Sequence, residues 1–516
     1  MIFIHVEKTD VLVIGSGGAG LRAALELHDQ GIDVLVVGKC KKGDAHTVLA
    51  TGGINAALGT MDPSDNWKIH AADTLREGAF INDPFAVTLL CKNASQAVQE
   101  LAKWGVRFHR ERNGKITQRF FGAATYRRAC FFGDYTGKEI LRVLVNQIVQ
   151  RHIRFKSEVY IFSLLHAHGV VNGALGLDIR TGTIIVFHAK VVLLATGGHS
   201  RMFMRSSSRF WENTGDGISL AYHVGAHFMD MEMFQFHPTG MLFPKEAEGL
   251  LVTEAVRGEG GVLTNNRRER FMKKYDSQRM ELSARDVVAR AIYTEVQEGR
   301  GTKRGGVWLD ISHLPKSVIL KRLPQMYQQF KQYVHIDISQ QKMEVAPTAH
   351  YSMGGVFVNH MTGETTVSRL FALGEVTSGV HGANRLGGNS LAEIIVFGKL
   401  TGRGIARHVK KMQFIPLDDA LLMKEERHFT QNILSLKGRD PLQVKEDIQS
   451  LMWKCAGVVR HKKYLTYALQ QLTKYQNISL ITGASLRNNE KLIASLDVRN
   501  MLPTCDMILR SALYRT

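Results

Sequence analysis

Gly15, Gly17 and Gly20, in the run Gly15-Ser16-Gly17-Gly18-Ala19-Gly20, have the spacing that lets a chain turn tightly, approach a phosphate closely and pack a helix on a strand. The helix that follows such a run begins with N–H groups that have no partner of their own, a seat for pyrophosphate. The run comes directly after the apolar segment Val11-Leu12-Val13-Ile14, and Leu21 to Gln30 then reads as a helix and Asp33 to Val37 as a second, parallel strand. This is the opening βαβ unit of a dinucleotide fold. The acidic ribose ligand expected at the end of the second strand is missing: Gly38 stands there, followed by Lys39, which argues against a plain NAD site. Asp216, in Thr214-Gly215-Asp216-Gly217, is a substitute ribose contact or a turn-forming aspartate.

The elements that must position this turn can be read in order. Asp83-Pro84 starts a helix whose stripe is Val87, Leu90, Ala94, Val98 and Leu101, and Gly105 ends it. Lys190 to Leu194 is a buried-strand pattern running into Ala195-Thr196-Gly197-Gly198. From about Met229 to Pro347 the chain becomes more polar, with a turn-rich excursion around Gly299–Gly306, and a βαβ-like passage returns at Leu370-Phe371-Ala372-Leu373-Gly374. Past about residue 410 the pattern is helical, with Asp440-Pro441 opening a helix that carries Val444, Ile448, Leu451 and Cys455 on one face. The expected class is α/β: a Rossmann-like nucleotide domain in two parts, 1–228 and 348–410, interrupted by an α+β capping domain, 229–347, and trailed by a helical domain, 411–516.

Composition narrows the setting. With 516 residues, 44% hydrophobic and 22% charged, the chain has ample material for a core. Its five cysteines, Cys40, Cys91, Cys130, Cys455 and Cys505, are scattered, which fits reduced thiols in the cytoplasm and gives no thiolate grouping for an iron–sulfur cluster. Met1 to Asp10 runs straight into a strand and leaves no room for a cleavable signal, and no apolar run is long enough to span a bilayer. The expectation is a cytoplasmic protein that reaches the inner face of a membrane only through partner subunits. The net charge of +19 fits solvated basic faces, attraction of a dianionic substrate, or docking on an acidic surface. Nucleic acid is excluded as a partner, because the basic residues form no long block and lack interleaved aromatics.

Further along, six blocks resemble, in order, the flavoprotein subunits of succinate dehydrogenase and fumarate reductase. They are Ala45-His46-Thr47-Val48-Leu49-Ala50-Thr51-Gly52-Gly53, Gln235-Phe236-His237-Pro238-Thr239-Gly240, Thr253-Glu254-Ala255-Val256-Arg257-Gly258, Ser283-Ala284-Arg285-Asp286, Pro347-Thr348-Ala349-His350, and His381-Gly382-Ala383-Asn384-Arg385-Leu386-Gly387 leading to Glu393. The resemblance implies FAD, joined covalently through His46. It adds Lys39, Thr47, Gly52, Gly53, Ala195, Thr196, Gly197, Asp216, Glu375, Ser390 and Leu391 to the glycine turn, Gly18 included, as cofactor contacts. For a C4 dicarboxylate it implies His350 and Arg385 at one carboxylate, His237 and Thr253 at the other, and Phe121 beside the chain. The proton falls to Arg285, relayed by Glu254 and Arg257. Since a guanidinium ordinarily stays charged, Arg285 must be coupled to a carboxylate that takes the proton on, and Glu254 is the candidate. A helix-start ion pair Arg285–Asp286 is the structural alternative. With His237, Thr253, Glu254 and Arg285 on the insertion and His350 and Arg385 outside it, the cap is expected to close on the base.

L-aspartate oxidase is the rival, sharing the fold and most of these motifs. It usually lacks the attached histidine and tends to carry an acid where this chain has Gln118-Arg119-Phe120-Phe121-Gly122. No acidic residue lies between Lys115 and Arg128. The family also continues past the last matched stretch, so the helical domain is expected to be naturally short or truncated. Electrons are expected to leave through a separate iron–sulfur protein or to go to oxygen.

Overall fold

The computed structural model describes residues 3–167 and 169–515. Its centre is a seven-stranded sheet in the order Arg154–Ser157, Val34–Gly38, Phe3–Ile14, Ile184–Leu194, Val170–Asp178, Val159–Ala167, with Leu370–Ala372 pairing on Ile184–Leu194 beyond the point where Val170–Asp178 leaves it. The strands nearest the glycine turn are parallel, Val11–Ile14 against Val34–Val37 and against Val191–Leu194. Val11, Leu12, Val13, Val191, Val192, Leu193 and Leu194 are all fully buried, so these strands read as unbroken apolar runs rather than alternating ones. The first strand is longer than expected, Phe3–Ile14, because its more polar first half pairs with Ile184–Ala189. The first helix starts at Gly18, not Leu21: the glycine run is itself the first turn.

That helix, Gly18–Asp29, crosses the long helix Asn389–Val409 at close quarters. Gly398 and Gly402 make the approach possible, since a Cβ on either would stand 2.8 Å from the Cβ of Arg22 or Glu26. The segment 229–347 forms a four-stranded antiparallel sheet in the order Phe234–Met241, Met343–Ser352, Val307–Asp310, Val262–Thr264, packed on the helix Arg285–Gln297 and around its own core of Val252, Leu263, Ile292 and Leu309. The strand Met343–Ser352 runs through position 347, where the sequence changes character. His350 therefore lies on the cap sheet, one strand from His237, and not on the nucleotide side of a seam.

The trailing helices Pro441–Ala456, Lys462–Leu472 and Glu490–Arg515 pack on one another and on the central sheet's flank through Val444, Ile448, Leu465, Met501 and Leu509. Asp440 caps the first of them by accepting from Leu442 N, as its position beside Pro441 predicts. They are also tied to the nucleotide domain by charge. Asp497 accepts from Lys445 Nζ at 2.7 Å, from Lys39 Nζ at 3.0 Å and from Tyr160 Oη at 3.0 Å. Asp497→Ala would strand the fully buried Lys445 ammonium, and the expected loss is about 3–5 kcal/mol in a denaturant titration, against less than half that for Asp497→Glu.

Candidate active site

One continuous cavity is lined by Gly15, Gly17, Gly18, Lys39, His46, Thr47, Gly52, Gly53, Phe121, Ala195, Thr196, Gly197, Asp216, His237, Thr253, Glu254, Arg285, His350, Glu375, Arg385, Ser390 and Leu391. Of the residues singled out in the sequence, Gly20 and Arg257 are not on its wall. Gly20 serves the turn from behind, where a Cβ would stand 2.0 Å from Gly15 O. Arg257 is fully buried, with Nη1 donating to Glu281 O, while its Nε and Nη2 have no partner; no hydrogen bond joins it to Glu254. Arg257 acts on Glu254 through its charge, helping to hold that carboxyl below its usual pKa, and not through a direct hydrogen bond.

Two helices open onto the cavity behind glycines that supply no cap of their own, Gly18–Asp29 behind Gly17 and Asn389–Val409 behind Gly388. Gly18 N donates to Thr47 Oγ1 at 3.0 Å. At one part of the wall Lys39 donates to Asp216 Oδ2 and to Thr214 Oγ1, both at 3.1 Å. His46 Nδ1 faces Glu212 Oε2 at 3.5 Å. Burial alone would lower the His46 pKa, but Glu212 and then Glu375 outweigh it and raise it. Burial likewise works to raise Glu212, yet His46 and Arg209 hold its carboxyl down at about 2. Glu212 lies outside the motifs and carries no signal in the sequence.

At the cap side, four donors converge. Arg285 holds Glu254 Oε2 through Nε at 2.8 Å and Nη2 at 2.7 Å, and Glu254 Oε1 accepts from Gly122 N at 2.8 Å. Arg285 thus pairs with Glu254 rather than Asp286, which turns to Arg290 at 2.7 Å. Arg385 lies 4.4 Å over the Tyr351 ring and donates to Ser390 Oγ at 3.3 Å. Both guanidiniums also donate to one atom, Gln235 Oε1, at 2.8 and 2.9 Å. Gln235 is visible in its block without a role. His237 and His350 meet ring to ring, 5.3 Å apart at 67°. Burial first, then the neighbouring arginines, hold both imidazoles well below the usual histidine pKa, so each is a neutral donor or acceptor. Ser207 Oγ orients His350 through Nδ1 at 2.8 Å. Burial and then Arg285 push the Arg385 pKa down to about 10. Among the buried atoms without partners are Thr51 Oγ1, Thr196 Oγ1, His237 Nε2 and Arg385 Nε, all on residues of this wall. The cavity is built for a ligand that accepts hydrogen bonds and carries negative charge.

The family model described as FAD binding domain matches residues 10–391, and the one described as fumarate reductase flavoprotein C-term matches 445–516. The chain is 42% identical to one chain of the fumarate reductase (CoM/CoB) of Methanothermobacter marburgensis, over 99% of this chain and 93% of that protein. It is 34% identical to the succinate dehydrogenase flavoprotein subunit of Rickettsia bellii, over 99% and 89%. Among solved structures, Mycobacterium smegmatis Sdh1 in complex with UQ1 superposes with a TM-score of 0.89 at 39% identity, over 99% of this chain and 88% of that one.

The depressed Glu212 carboxyl gives a stability contribution that is present above its ordinary pKa of 4.5 and is lost as pH falls from there towards about 2. Urea midpoints measured across that window are expected to fall less steeply for Glu212→Gln than for the natural protein.

Proposed function

The chain belongs to the flavoprotein family of succinate dehydrogenases and fumarate reductases, and from that premise we propose that it interconverts succinate and fumarate as the FAD-carrying subunit of a larger electron-transfer complex. The carrying observation is the pair Arg285 and Arg385 held on one carbonyl oxygen, with two neutral imidazoles beside them. FAD fits the wall: two helix N-termini that begin behind glycines suit its phosphates, Asp216 suits a ribose, and the partnerless atoms of Thr51 and Thr196 await acceptors or donors. When bound, the flavin supplies the acceptor or donor of a hydride.

The protein's own part is binding, orientation and proton transfer. Arg385 and His350 receive one carboxylate, His237 and Thr253 the other, and Phe121 flanks the carbon chain. Arg285 delivers a proton to the carbon next to the one that exchanges hydride, and Glu254, already bonded to it, carries the charge change. The cap supplies His237, Thr253, Glu254, Arg285 and His350, so its approach to the base, which carries Arg385, completes the site and expels water. His46 is the proposed attachment point, with Glu212 holding its far nitrogen. Oxidation of L-aspartate is the weaker reading, because the substrate's ammonium would meet two guanidiniums while Glu254 is occupied by Arg285. The cysteines are scattered, so electrons pass to a separate iron–sulfur protein. Among the described residues no helix is long and apolar enough to cross a membrane, and association with one is proposed through such partners.

Fumarate reduction driven by a reduced viologen dye tests the assignment of Arg285: Arg285→Gln is expected to lose about 10²–10⁴-fold in kcat with its flavin spectrum intact. A loss smaller than tenfold would overturn it. For the attachment, acid-precipitated natural protein is expected to keep its yellow colour in the pellet, and His46→Ser to release it to the supernatant.

A further inference from the structure

Two side-chain amides run head to tail from the arginines to a pair of carboxyls. Gln235 Oε1 accepts from Arg285 and Arg385, and Gln235 Nε2 donates to Asn384 Oδ1 and to Arg385 O, each at 2.7 Å. Asn384 Nδ2 in turn donates to Glu77 Oε1 at 2.8 Å and to Asp286 Oδ1 at 3.0 Å. Gln235 thereby uses both donors and both acceptor sites it owns. An amide's two ends match in shape and differ in polarity, so neighbours decide its orientation. The Asp286 carboxylate at the far end, which can only accept, requires the NH₂ of Asn384. That turns the Asn384 carbonyl to the Gln235 NH₂, and so turns the Gln235 carbonyl to the two guanidiniums. Reversing Gln235 would aim an NH₂ group at two cations, and reversing Asn384 would set its NH₂ against that of Gln235 and its carbonyl against the Asp286 carboxylate.

We propose that the Gln235–Asn384 pair, polarised by Glu77 and Asp286, is the positioning device that sets Arg285 and Arg385 relative to each other across the boundary between cap and base. Arg285, Gln235 and Asp286 belong to the inserted segment; Arg385, Asn384 and Glu77 belong to the nucleotide-binding part. Every link from Gln235 to Arg385, from Gln235 to Asn384 and from Asn384 to Asp286 crosses that boundary. The inference rests on the reading of Arg285 as proton donor and Arg385 as carboxylate clamp. Glu77 makes the device titratable. Burial, then Asp286 and Glu254, push its pKa up to about 8, against the lowering pull of Arg285 and Arg279. It is neutral below that pH and charged above it. Once charged, it sets a carboxylate on the base against the Asp286 carboxylate on the cap, and the alignment loosens as pH rises through 8.

The test is steady-state fumarate reduction by the flavin-loaded natural protein, Gln235→Met, Asn384→Asp and Glu77→Gln between pH 6 and 9.5, with flavin absorbance and thermal midpoint recorded for each. Gln235→Met is expected to lose about 100-fold in kcat/KM, as misplacement of a reacting group by an ångström does. The natural protein's kcat/KM is expected to fall as pH rises through 8, with Glu77→Gln extending activity by about one pH unit and Asn384→Asp, which adds a third carboxyl, failing at lower pH. Superimposable pH profiles for Glu77→Gln and the natural protein would overturn the proposal, as would a Gln235→Met rate within about twofold of it. A natural protein that reduces no fumarate would instead overturn the reading of the arginines beneath it.

Discussion

Two guanidinium groups share one carbonyl oxygen inside this protein, and most of the cavity is arranged around the consequence. Like charges so close repel, and burial removes the water that would screen them. The chain offsets this with one carboxylate on Arg285, one aromatic face under Arg385 and one amide oxygen between them. These partners stop short of neutralising the pair, and the neutral imidazoles of His237 and His350 add donors without adding charge. What remains is a pocket whose polar demand a dicarboxylate satisfies and a neutral or cationic molecule does not.

The fold follows from the need to bring these groups to a nucleotide-bound ring. A parallel sheet delivers the glycine turn at its strand ends, and the helices Gly18–Asp29 and Asn389–Val409 point their N-termini at the same space. The second helix also follows directly on Arg385, so one element serves both ligands. The inserted sheet brings His237 and His350 on adjacent strands, and the helix Arg285–Gln297 starts with the residue assigned to the proton.

Much of this is legible in the residues alone. Apolar runs bounded by glycine locate the central strands, and Asp-Pro pairs locate the starts of the helices at Pro84 and Pro441, because those signals are local. The wall of the cavity is legible through motif blocks. Partnerships between distant segments are not. Nothing in the sequence ties Glu212 to His46, Asp497 to Lys39 across more than four hundred residues, or Glu77 to Asn384, since each depends on how separate elements dock. The place of His350 is hidden for the same reason: a change of composition at 347 falls within a strand, and pairing with Phe234–Met241 carries that strand on to Ser352. The relay residue Arg257 likewise has a buried setting, bonded to Glu281 O, that its motif does not reveal.

The function turns on which ligand the paired arginines accept. The direct measurement is to mix the air-free, oxidised, flavin-loaded protein with succinate and, separately, with L-aspartate while recording the flavin's visible absorbance. Bleaching by succinate, with aspartate leaving the spectrum unchanged, is the predicted result. Bleaching by aspartate with no response to succinate would contradict the account and assign the same cavity to amino-acid oxidation.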